Sequence, residues 1–399
     1  MIIHVMVILL ILGIAYLQMT QGLFSSLIMA VCTVFSAGLA IILYEPLATT
    51  MYNVQPAIAD GVSLALLFAT SLFVLRYLAD QFINKDILFD MYVDRVGGAI
   101  FGLLSGTFII GVLLVVMQLL PFGRVVMGDY RPYNDSLLRE KRLAPFFPDD
   151  CVVGFGKIIS AGSMSGAQSL VQVHDDLLLE AFCTRNTANR HGRVDTETNA
   201  LRFLGAYQYP DDARNINWED LDKAPPNPLV PEEIPTKVLI VRVSVNVSAT
   251  GDKNDWWRLP GTQFRLHCKE KKTYHSYYPI GYLYYDTKTN GWRSALPPES
   301  DNVIKPAQLI VMRPKDVAGY EDASGEGRIA AKDLNLVVDW VYRIPADAVP
   351  QTIYFRRVDG AKVKAVQEGF PQRELRGKAL KSIPPKSERT WERRGRRRR

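Results

Sequence analysis

The chain has 399 residues, and a mean hydropathy close to zero averages an apolar first third with a polar remainder. Its net charge of +6 equals the six arginines of the terminal run RRGRRRR, so the rest is formally neutral and the basic balance does not mark a nucleic-acid-binding surface. The four cysteines (Cys32, Cys151, Cys183, Cys268) contain no CxxC, which excludes a disulfide framework, and the cluster of His267, Cys268 and His275 lacks the fourth ligand of a zinc site.

Residues 2–17 are almost wholly apolar. A cleavable leader needs Lys or Arg before the apolar run and small residues at a cleavage site after it; here only His4 precedes, and a second apolar run begins within five residues. The stretch therefore reads as a first span. A polar break leads to a second span, 22–44, which ends at Tyr44, an interfacial aromatic, and at Glu45-Pro46, expected to stop the helix. After a loop containing Pro56, residues 61–78 form a third span with Arg76 in its last turn, where a long side chain can snorkel to the interface. The segment Asp80 to Asp94 is charged, and Asp94 occupies an N-cap position for the fourth span, 97–120. At about 1.5 Å per residue, such runs match a hydrocarbon core of roughly 30 Å. Residues 1–121 thus predict a four-helix transmembrane domain.

Within the fourth span Gly98, Gly102 and Gly106 recur every four residues, which stacks three bare backbone patches on one helix face. In lipid, where apolar burial gives helices no reason to associate, such a face permits close packing and weak Cα–H contacts. A homo- or hetero-oligomer through this face is expected. Short-loop basic residues number five after the fourth span (Arg124, Arg131, Arg139, Lys141, Arg142) and three on the other side (Arg76, Lys85, Arg95), which leans toward a cytoplasmic C-terminal domain.

The two close spans, the break at Gly22, the third span and then Asp94-Arg95-x-x-Gly98-x-x-x-Gly102-x-x-x-Gly106 opening the fourth resemble the colicin V production protein (CvpA) family. The segment YNDSLLREKRLAPFF, 133–147, is similar to that family's post-membrane stretch, and the resemblance covers residues 1–185. It implies a multi-pass protein of the bacterial inner membrane linked with toxin (colicin V) production or export, without established catalytic chemistry.

Residues 122–185 read as a post-membrane amphipathic helical segment. Leu170, Val173, Leu177 and Phe182 share a helical face, which would lie either on the membrane or against neighbouring helices as a packed linker. The patch GSMSG, 162–166, has Met where a nucleophile elbow needs Ser. Residues 186–235 form a polar, Pro-rich linker, partly ordered around 201–209. From Lys237 the pattern alternates with period two, in KVLIVRVSVNV, QFRLHCKE, PIGYLYYD, AQLIVMRP, LNLVVDWVYRI and TIYFRRV, each bounded by turn residues. An antiparallel β-sandwich over 236–360 is expected. Its ending, LVVDWVYRIPADAVPQTIYFRR, resembles the closing hairpin of immunoglobulin-like accessory domains. Trp256, Trp257, Tyr274, Tyr277, Tyr278, Tyr282, Tyr284, Tyr285 and Trp292 serve either its core or an outward partner-binding face. Residues 361–399 form a basic, disordered tail. There Arg393, Arg394, Arg396, Arg397, Arg398 and Arg399 suit anionic lipid headgroups, with nucleic acid the alternative contact.

The fold class is therefore a membrane α-helical domain of four transmembrane helices followed by an all-β, sandwich-like soluble domain. No Ser/His/Asp order, HExxH, P-loop or dinucleotide fingerprint is present, so no catalytic, cofactor-binding or metal residue is assigned. The expected function is that of a non-enzymatic integral membrane protein with a partner-binding β domain. A small transporter or channel subunit is the alternative, although Arg76 and the Asp94–Arg95 pair lie at interfaces rather than inside a span.

Overall fold

The computed structural model describes residues 2–52, 54–55, 57–82, 90–121, 126–127, 130, 132–133, 139, 147–162, 170–186, 200–208, 235–246, 257–271, 273–286, 291–295, 309–312, 335–356, 359–369, 374–375 and 378–379. These form two compact units, one helical up to Asn186 and one of strands from residue 195 onward.

The helical unit is built on α1 (Ile2–Gln21), α2 (Leu23–Met51), α3 (Ala59–Phe82) and α4 (Met91–Leu119), all four long and apolar enough to cross a membrane. Their outward side chains, such as Leu9, Phe35 and Phe73, are large and apolar, as a lipid-facing surface requires. The expected stop at Glu45-Pro46 is not observed, for α2 runs through Pro46 to Met51. A proline removes one backbone donor. Here the loss falls in the final turns, which Tyr52 secures by donating its N–H to Ala48 O at 3.0 Å and its hydroxyl to Asp60 Oδ1 at 2.6 Å.

Beyond the spans come α5 (Pro148–Ala161), the single turn α6 (Leu170–Val173) and α7 (Leu177–Asn186). The continuous amphipathic helix expected through residues 170–182 is broken at 174–176. Asp176 Oδ1 accepts the amides of Leu178 and Leu179 at 3.1 and 3.0 Å and caps a new helix there. Leu177, Leu178 and Leu179 are all buried, so α7 is a packed helix without a single wet face.

The strand unit contains a six-stranded sheet in the order β12-β1-β2-β9-β6-β7 and a four-stranded sheet in the order β11-β10-β4-β5. Here β1 is Leu201–Gln208, β2 Thr236–Asn246, β4 Phe264–Glu270, β5 Thr273–Tyr277 and β6 Gly281–Asp286. The others are β7 Gly291–Ala295, β9 Asn335–Pro345, β10 Val349–Phe355, β11 Asp359–Lys362 and β12 Val366–Glu368. Two-stranded ladders pair β3 (Trp257–Pro260) with β8 (Leu309–Met312) and β13 (Glu374–Leu375) with β14 (Lys378–Ala379). Alternate residues of β2 (Leu239, Val241, Val243, Val245) and β9 (Val338, Trp340, Tyr342, Ile344) meet Phe264, Leu266, Ile353 and Phe355 of the second sheet in one core. Trp340 and Phe355 flank Phe264 with ring centroids 4.9 and 4.8 Å away. The β-rich, two-sheet, sandwich-like class read from the sequence is therefore present.

Its limits and wiring differ from expectation. β1 arises from the presumed linker and β12, β13 and β14 from the presumed tail, and β1 pairs with β12 in parallel rather than antiparallel. The presumed closing hairpin is no hairpin: β9 pairs with β2 and β6, whereas β10 pairs with β4 and β11 in the other sheet. The Pro345-to-Ala348 corner is thus a crossing between layers. On the other side of the first sheet, Arg242 and Asp339 stand directly opposite one another and form a bidentate pair at 2.7 and 2.8 Å, both buried.

Candidate functional site

The three ladder glycines of α4, Gly98, Gly102 and Gly106, lie against α1 of the same chain. A Cβ on Gly98 would stand 3.1 Å from Gln18 O and Met19 Cα, on Gly102 2.8 Å from Ala15 Cα, and on Gly106 3.1 Å from Ile11 O. Steps of four residues on α4 are answered by steps of about four in the reverse direction on α1, so the two helices run antiparallel with their backbones in contact. The face expected to carry an oligomer contact is thus filled by the chain's own first helix.

At the entrance of α4 the capping residue is Asp90, whose side chain accepts Tyr92 N–H at 3.2 Å, and not Asp94 as the sequence suggested. Asp94 is one turn further in and caps a different helix: its Oδ1 accepts the N–H of Leu23, the first residue of α2, at 2.7 Å. A carboxylate at a helix N-terminus satisfies an orphan donor and meets the positive end of the helix dipole. Gly22 makes this possible, because it turns the corner between α1 and α2 with φ +88, and a Cβ there would stand 2.7 Å from Asp94 Oδ2. Nearby, Arg76 does not simply snorkel. It donates to Ser25 O at 3.2 Å and to Ser25 Oγ at 3.0 Å while pairing with Asp80 at 3.2 Å, which ties α3 to the same end of α2.

Asp94, Gly22 and the glycine ladder therefore act together: one carboxylate and four missing side chains join three helices at one end of the bundle.

Residues 3–149 match the colicin V production protein family.

No curated protein and no solved structure matches the chain. The colicin V production segment takes in all four spans and stops at the first residues of α5, short of the 185 residues over which the resemblance was read. The strand unit lies wholly outside it.

Just past that segment the structure assembles a polar group that the sequence reading did not identify. His174, at the break between α6 and α7, is buried, with Nδ1 2.5 Å from Glu180 Oε2 of α7 and Nε2 against Glu45 of α2. Burial opposes a charged imidazolium, but Glu180 and Glu45 outweigh it and hold the group above its ordinary value of 6.5. Both ring nitrogens face carboxylates, an arrangement suited to holding protons rather than a cation. In the same unit, buried Asp149 of α5 accepts from Gln118 Nε2 of α4 at 2.8 Å, with the Tyr130 hydroxyl at 3.4 Å. No sequence signal marks the trio, since Glu45 and His174 are 129 positions apart.

The remaining expected site residues are dispersed. Arg95 is exposed on α4. The arginines Arg393, Arg394, Arg396, Arg397, Arg398 and Arg399 lie outside the described residues. Among the aromatics of the strand unit, Tyr277, Tyr278 and Tyr282 are buried and Tyr274 is stacked on His267 at a centroid distance of 5.3 Å.

Proposed function

We propose that the chain is a non-enzymatic scaffold of the inner membrane, of the colicin V production type, which anchors a β-sandwich that binds a protein partner during toxin production or export. The strand unit is proposed to lie on the cytoplasmic side, as the basic-residue asymmetry suggests, with the arginine tail on anionic headgroups. One observation carries this reading: Asp94, Arg76 and the ladder glycines of the spans are used to hold helix to helix. Asp94 caps α2, Arg76 binds Ser25 and Asp80, and the glycines receive α1. A transport pathway would instead direct such groups into a cavity. The test is release of a colicin-V-type toxin by cells that depend on this chain. Release should stop when the chain is removed, return with the intact chain, and fail to return with the spans alone; restoration by the spans alone would refute a role for the β domain.

A transporter subunit is the second reading, favoured by the Glu45–His174–Glu180 trio, in which His174 and Glu180 are buried and Glu45 is part-exposed, since carboxylate–imidazole chains serve proton relays in membrane transporters. Proton-coupled flux in liposomes that Glu45→Gln abolishes would favour it over the scaffold.

A further inference from the structure

The short helix α5 occupies an unexpected level on the bundle. A Cβ on Gly111 of α4 would stand 2.3 Å from Pro148 O and 2.6 Å from Val152 Cγ2, and a Cβ on Gly38 of α2 would stand 2.9 Å from Ile159 Cδ1. Phe155 meets Phe108 edge to face at 5.4 Å. α5 therefore crosses α4 near residues 108–111 and α2 near residue 38, with no side chain between the backbones at Gly111.

The depth of that crossing follows from the charged layer at the opposite end, formed by Asp94, Arg76 and Asp80. Counted from Asp94 at 1.5 Å per residue, Phe108 and Gly111 lie about 21 and about 25 Å along α4, inside a hydrocarbon core of roughly 30 Å. Gln118, which holds Asp149, lies at about 36 Å, and Glu45, counted along α2 from Gly22, at about 35 Å, both beyond it.

The side chains of α5 suit that level. Its three charged residues are all engaged: Asp149 with Gln118 and Tyr130, Asp150 with Arg139, and Lys157 with the Asp175 carbonyl. None lies on the outward stripe of Cys151, Ile158 and Ala161, where Ile158 is 73% exposed. We propose that α5 is held within the outer part of the bilayer's apolar layer, with this stripe against lipid acyl chains, so that the membrane domain contains a fifth, non-spanning helix. The inference rests on the reading that α1 to α4 span the bilayer.

The test is site-directed spin labelling of the full-length chain in phosphatidylcholine vesicles. Cys151 is replaced by Ser, and Cys32, Cys183 and Cys268 are buried. Labels at Ile158→Cys and, independently, at Ala161→Cys are compared with Phe73→Cys on the outer face of α3 and Val349→Cys on β10, both exposed positions. Labels on α5 should collide readily with oxygen and several-fold less than the Val349→Cys label with a water-soluble nickel chelate, matching Phe73→Cys. Nickel contact at both α5 sites equal to that at Val349→Cys, with Phe73→Cys still shielded, would overturn the placement of α5 alone. Nickel contact at Phe73→Cys as well would overturn the spans and the inference with them.

Discussion

The contact between α1 and α4 can be weighed by adding one methyl group. The Cβ of Gly102→Ala would stand 2.8 Å from both Ala15 Cα and Gln18 Cβ and 3.0 Å from Ala15 O. Two of these atoms are backbone, so no side chain can rotate away and α1 must shift off α4. Overpacking of this kind costs about 1–3 kcal/mol, while replacing Gly by Ala in a helix interior returns about 0.5–1 kcal/mol. Gly13 of α1 has nothing within 4 Å of its would-be Cβ, so Gly13→Ala carries the gain without the clash. The difference between the two variants isolates the packing cost. At roughly 2–4 °C per kcal/mol for a unit of this size, Gly102→Ala should melt several degrees below Gly13→Ala. A thiol-reactive dye can follow this in detergent, because Cys32 and Cys183 are buried in the helical unit; Cys151 and Cys268 would first be replaced. Equal melting temperatures would refute the claim that the glycine ladder is a backbone-to-backbone contact.

Asp94→Ala should destabilise the helical unit by about 1 kcal/mol through loss of the α2 cap, and Asp94→Asn by less because an acceptor remains; equal losses in the same melting assay would count against capping. The His174 trio predicts a pH dependence. Since the folded-state value is raised, its stabilising contribution is complete below pH 6.5 and fades as pH rises through the higher folded value. The melting temperature of His174→Gln should therefore fall short of the unaltered chain's most in mildly acidic buffer, and a gap that widens with rising pH would contradict this sign. In the strand unit, Arg242→Ala should cost about 3–5 kcal/mol by leaving Asp339 buried and alone, whereas replacing both by apolar residues of similar volume should cost far less; denaturant titration followed by Trp340 fluorescence would separate the two.

The spans were legible because a lipid-facing helix advertises itself by composition, and the glycine ladder because a period of four fixes one face. What joins these parts was not. Asp94 and Leu23 lie 71 positions apart, so a cap donated across the bundle looks in the sequence like a cap for its own helix. The role of His174 depends on two carboxylates from separate helices, and no local pattern encodes their meeting. In the strand unit, KVLIVRVSVN and NLVVDWVYRI stood out as β-branched apolar stretches with a partial period of two. By contrast β1 was hidden by its register shift between Phe203 and Gly205, which interrupts the period, and β12 by three exposed residues with nothing to bury. The layer crossing at Pro345–Ala348 resembles a hairpin turn in sequence; only the partners of the flanking strands tell them apart.

The cap at the head of α2 also imposes an order on assembly. Ribosomes deliver α2 long before residue 94 exists, so the amide of Leu23 stays unsatisfied, and the bend at Gly22 unclamped, while the first three helices enter the lipid. Arrival of the fourth helix supplies the missing carboxylate and the bare strip for α1 in a single step. The α1 side of the bundle therefore closes last, and nascent chains halted before Met91 should remain loose enough for a protease to cut at the α1–α2 corner.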